Sequence, residues 1–168
     1  STSIPAFNSF SVTSIVQDGT GNIWIGSELG LTKFTGTSFV NFDMTSGLPD
    51  NAVNCIEVVG SLLYIGTNKG LSRYDGVGFS NYNVAAGTLP NDTIKSIKME
   101  SSSVLWLGGI NRLTKFNYSS SSLTSSYTTN TILPATGAIN CVFIDALNNK
   151  WLGTSNVGVL KYNGTSFT

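Results

Sequence analysis

Of the side chains that do chemistry most readily, histidine is missing and cysteine occurs twice, as Cys55 and Cys141. Without histidine there is no Ser-His-Asp or Cys-His arrangement and no imidazole metal ligand. Two cysteines alone hold no zinc. Nine acidic residues balance nine basic ones. Paired carboxylates can cleave glycosidic bonds. Here, however, Asp18, Glu100 and Asp145 each stand six residues before an aromatic, and such regular placement speaks for a structural role. Asp18-Gly19-Thr20-Gly21-Asn22 has some features of a calcium loop, but Leu29 stands where the twelfth-position glutamate would be needed, so a hairpin turn is expected. The chain is expected to be no enzyme and to use no metal or cofactor. Lys33, Arg73, Lys115 and Lys161 also recur at one position. They make either a ring of cations facing an acidic ligand or blade-edge residues paired with those acids. The second reading is favoured.

The elements that position these residues are repeats. Ile23-Trp24-Ile25-Gly26 returns as Leu63-Tyr64-Ile65-Gly66, Leu105-Trp106-Leu107-Gly108 and Lys150-Trp151-Leu152-Gly153. The aromatics are spaced by 40, 42 and 45 residues, a period that marks a repeat architecture. The repeats run over about 12–51, 52–92, 93–137 and 138–168, and 1–168 reads as a single unit. Each holds four short strand candidates separated by Gly, Asn and Asp turns, which tolerate positive φ. No segment has a helical apolar period.

The second strand of each repeat is apolar on both faces, so its sheet must be covered on both sides. A blade packed between two neighbours meets that need. The fold class is all-β: a β-propeller of four-stranded antiparallel blades, four to the chain. Trp24, Tyr64, Trp106 and Trp151 are expected to lie buried between blades, and Gly26, Gly66, Gly108 and Gly153 to let the next backbone come close. The two cysteines fall at one position in non-adjacent blades, too far apart to bridge, and are expected to be free thiols.

The full pattern runs Gly-Asn-Ile-Trp-Ile-Gly, then Gly-Leu-Thr-Lys-Phe, then Phe-Val-Asn-Phe, then Gly-Leu-Pro. It resembles the two-component regulator propeller repeat, and the resemblance covers nearly the whole chain. That family builds periplasmic sensor regions of bacterial hybrid two-component systems. The resemblance implies a sensor or ligand-binding module, periplasmic or extracellular, in a bacterium. Family sensor regions usually carry more than four repeats, followed by a further β-domain, a membrane helix and a kinase.

Zero net charge gives no basis for nucleic-acid or anionic-membrane binding. No apolar run reaches the roughly 18 residues of a membrane span. Residues that break the repeat are the candidate ligand contacts: Asn111, Arg112, Tyr118, Tyr127 and Asn156, side chains suited to a carbohydrate or peptide. A self-assembling surface propeller, and a propeller polysaccharide lyase or hydrolase, are the other readings. From Trp151 to the end and from the start to Trp24 together make 41 residues, one more period. Residues 1–11, with Ile4, Pro5 and Phe7, are expected to complete the last blade. Either four blades close on themselves, or two chains form an eight-bladed homodimeric ring.

Overall fold

The computed structural model describes residues 11–101, 103–120, 133 and 136–168, and the backbone of 122–128. The leader with Ile4, Pro5 and Phe7 lies outside the described residues. Blade 1 is β1 (Val12–Gln17), β2 (Ile23–Ser27), β3 (Gly30–Phe34) and β4 (Phe39–Phe42). Blade 2 is β5 (Val53–Val59), β6 (Leu62–Thr67), β7 (Gly70–Tyr74) and β8 (Phe79–Tyr82). Blade 3 is β9 (Ile94–Ser101), β10 (Val104–Gly109), β11 (Arg112–Asn117) and β12 (Ser122–Thr128). Blade 4 is β13 (Ile139–Ile144), β14 (Lys150–Thr154) and β15 (Val159–Tyr162). Within each blade consecutive strands pair antiparallel. Blade 4 has three strands, but Phe167 bridges Tyr162, and Thr168 exchanges backbone hydrogen bonds with Lys161 at 2.8 and 2.9 Å, so the chain's last residues begin a fourth.

The blades stack in chain order through their first strands, β1 on β5, β5 on β9 and β9 on β13. The contact repeats residue by residue. A Cβ added to Gly26 would sit 2.6 Å from the Val53 Cγ1 of the next blade, one on Gly66 2.8 Å from Ile94 Cγ2, and one on Gly108 2.8 Å from Ile139 Cγ2. The glycine after each aromatic is therefore a socket for a β-branched side chain from the following blade. Polar bonds cross the same seams: Thr13 Oγ1 donates to the Val53 carbonyl at 2.6 Å, Asn54 Nδ2 to Ile94 at 2.9 Å and Ser96 Oγ to Ile139 at 3.0 Å. Leucines of the Leu-Pro connections, Leu48, Leu89 and Leu133, are buried in the three clusters so formed. The first connection is turned by a short 3₁₀ segment, Met44–Ser46, capped by the Asp43 side chain and ended by Gly47 at φ 111°.

Trp24, Tyr64 and Trp106 are at most 2 % exposed, as expected of residues between blades. Trp151 departs from the expectation: it is 38 % exposed. Lys161 lies over its ring, and among the described residues no following blade packs against it. Cys55 and Cys141 are free thiols. Replacing Trp106 by Ala is expected to lower unfolding free energy by about 3–5 kcal/mol, the cost of an emptied aromatic site. Urea denaturation measures this, and a variant as stable as the parent would refute the inter-blade role.

Candidate functional site

The cations do not converge on one point. Strand register puts Trp24 opposite Lys33, Tyr64 opposite Arg73, Trp106 opposite Lys115 and Trp151 opposite Lys161. Lys33, Lys115 and Lys161 Nζ lie 5.2, 5.6 and 5.4 Å from the ring centres of their tryptophans. Each ammonium rests on an indole face, an arrangement worth about 0.5–1 kcal/mol at exposed sites.

The acids serve the same tryptophans. Asp18 Oδ2 accepts from Trp24 Nε1 at 2.8 Å and from Asn22 Nδ2 at 2.9 Å; Oδ1 accepts from Thr20 N, Thr20 Oγ1 and Asn22 N at 2.7–3.0 Å. Blade 4 repeats the clamp, with Asp145 taking Trp151 Nε1 at 2.9 Å and Asn149 Nδ2 at 2.8 Å. The carboxylate is thus filled by donors of its own turn and its tryptophan. Burial works against the Asp18 charge, yet the bonds from Trp24, Asn22 and Thr20 outweigh it and hold the carboxyl well below its ordinary range. The Trp151 and Asn149 bonds bring Asp145 down to about 2. In blade 3 Glu100 pairs with Lys150 and, at 3.5 Å, with Lys115. The expected pairing of recurring acid with recurring cation holds there; in blades 1 and 4 both partners meet on the indole instead. Among the described residues no group of His, Cys, Asp and Glu is placed to hold a metal ion.

Blade 2 breaks the pattern. Val58 replaces the acid, and a two-residue turn, Gly60-Ser61, replaces the five-residue turn of blade 1. Beside this shorter turn lies a cavity of about 430 Å³ between blades 1 and 2. Asp18, Trp24 and Lys33 line it from blade 1; Val58, Leu63 and Tyr74 from blade 2. An aromatic and aliphatic floor with a carboxylate and an ammonium is the make-up of a small-ligand site, and the volume falls in the range of about 300–1,000 Å³ such sites occupy. Reading the sequence by recurring positions passed over this cavity, although the difference in turn length between repeats one and two was visible.

Of the residues that break the repeat, Asn111, Arg112 and Asn156 stand at the end of the blades that carries the inter-blade connections. Asn111, at φ 50°, accepts from Gly137 N through Oδ1 at 2.7 Å and donates its amide to the Gly137 carbonyl. Asn156 N donates to Thr136 at 3.2 Å. Both hold the connection into blade 4. The Tyr127 backbone pairs with Leu113 toward that end, and its side chain is outside the described residues. Tyr118 lies at the opposite end, its ring 5.5 Å from Tyr64. The five do not form one cluster.

Residues 7–28 match the family model described as two component regulator propeller. That is the family the repeat pattern resembles. No curated protein matches the chain. Among solved structures, the extracellular domain of the hybrid two-component system BT4673 of B. thetaiotaomicron is 27 % identical, at a TM-score of 0.72 over 98 % of this chain and 22 % of that one. That of BT3049 of the same organism is 23 % identical, at a TM-score of 0.81 over 95 % and 24 %. This chain thus spans about a quarter of the length of either. The WD40 β-propeller domain of Doa1 shares the fold at 16 % identity, with a TM-score of 0.72 over 94 % of this chain and 51 % of that one.

The depressed acids set a pH dependence. An unfolded aspartate takes its proton near the ordinary 3.8, while folded Asp145 holds out to about 2. The stabilisation is fully present above that ordinary value and is lost as pH falls toward the folded one, because the unfolded state binds protons first. Calorimetry is expected to show the melting temperature dropping between about pH 4 and 2, and less steeply in the Asp18→Asn, Asp145→Asn double variant. An equal drop in both would contradict the clamp.

Proposed function

We propose that the chain is a non-enzymatic, ligand-binding module of a bacterial extracytoplasmic signalling protein. The observation that carries this reading is likeness in sequence as well as fold to the extracellular domain of a hybrid two-component system, extending over 98 % of the chain. The family match over residues 7–28 also supports it. Among the described residues no helix is long and apolar enough to cross a membrane. The ligand is a carbohydrate or peptide. The cavity beside Trp24 offers such a molecule an apolar floor from Val58 and Leu63 and a charged partner in Lys33. The connection end, with Arg112, is the second candidate face.

Thermal-shift screening against soluble glycans and peptides is expected to give a rise in melting temperature with one ligand class, no turnover by chromatography, and a smaller rise for Lys33→Ala. Turnover of a hit, or no rise with any member of either class, would contradict the proposal.

A further inference from the structure

Blades 1 and 4 are the two halves of a seam that the single chain leaves open. At every internal seam a β-branched residue of the following blade fills the glycine socket: Val53, Ile94 and Ile139 are buried there. The equivalent residue of blade 1, Val12, aligned with Ser27 as Val53 is with Thr67, is 46 % exposed. The equivalent socket of blade 4 is Gly153, where an added Cβ would meet only Cys141 of its own blade. Ile15 is 63 % exposed, whereas Ile56, Ile97 and Val142 at its position are buried. Val159 is 64 % exposed, whereas Leu31, Leu71 and Leu113, which pair with the corresponding glycines, are buried.

The aromatic contacts follow the same rule. Trp24 meets Tyr74 of blade 2 edge-on at 5.5 Å, and Trp106 meets Tyr162 of blade 4 at 5.9 Å. Both tyrosines end the third strand of the following blade. Phe34 holds that position in blade 1. Trp151 therefore lacks a Phe34, Gly153 lacks a Val12, and exposed Asn140 occupies the place from which Asn54 reaches the next blade's carbonyl. Phe143, also exposed, stands where Glu57 reaches across to Met99 N.

We propose that the blade 4 face takes blade 1 of a second copy, and that two chains close an eight-bladed ring. A second copy offers the blade 1 face that Trp151, Gly153 and Val159 lack. It also receives, on its own blade 4, the first copy's Val12 and Ile15. The seam is heterologous, and a two-fold rotation about the ring axis makes both junctions at once. Eight blades lie within the range of about 4–8 found in this architecture. Closure by a copy removes the apolar faces and the open end of the series together. This inference is independent of any ligand.

Light scattering after gel filtration tests it on the whole chain without ligand. The expected mass is twice the 17.8 kDa of one chain. Val12→Asp and Val159→Asp alter residues already exposed in the single chain, so each is expected to be a monomer with unchanged far-ultraviolet circular dichroism. A monomeric parent, a ladder of longer open assemblies, or a dimer that survives both substitutions would overturn the proposal.

Discussion

The contact on which the rest depends is a branched side chain seated on a glycine of the preceding blade. A Cβ on Gly26, Gly66 or Gly108 would collide with Val53, Ile94 or Ile139 of the following blade, and on Gly66 and Gly108 also with Cys55 Sγ and Ser96 Oγ of its own blade. Glycine in a strand interior weakens it, by entropy and by the lack of a side chain to pack. Here the loss is offset by close approach of two sheets, which brings the apolar second strands into contact on both faces and buries Tyr64, Ile65, Leu105, Leu107 and Leu113. Interior packing at crystal-like density makes such a seam sensitive to a single methyl group.

The tryptophans fill the space that the socket leaves at the wider end of the wedge. An indole there has one polar atom to satisfy and one flat face at the edge. The Asp18 and Asp145 turns satisfy the N–H, and Lys33 and Lys161 cover the face. Acid, indole and cation are thus one unit, fixed by a hairpin turn and one cross-strand pair. Blade 2 gives up the unit: Tyr64 replaces the tryptophan, Val58 the acid, and the cavity of about 430 Å³ lies beside the shorter turn. Structural regularity and candidate function are complementary here, since the site lies where the repeat is broken.

Strand order, the recurring glycines and the burial of Trp24, Tyr64 and Trp106 were legible in the sequence because each is a local property that recurs, although the close approach expected of backbone at Gly26 and Gly66 is made by a branched side chain. The exposure of Trp151 was not, because burial there depends on how many neighbours a blade has, and a repeat does not encode its own position in the series. The recurring cations and acids were found as sets, but only the cross-strand pairing of Trp24 with Lys33 turned two sets into one clamp. Asn111 and Asn156 stood out as irregular. Their irregularity has a backbone cause: the 136–138 connection needs carbonyl and amide partners, and these two residues supply them.

The most direct test of the socket is a double-mutant cycle on Gly26→Ala and Val53→Ala, followed by urea unfolding. Gly26 has no positive φ, and Val53 supplies the one atom within 3.0 Å of the added Cβ. If the seam depends on this seat, Gly26→Ala destabilises the parent strongly and the Val53→Ala background mildly, with a coupling of about 0.5–3 kcal/mol. Additive effects, with no coupling, would contradict the account.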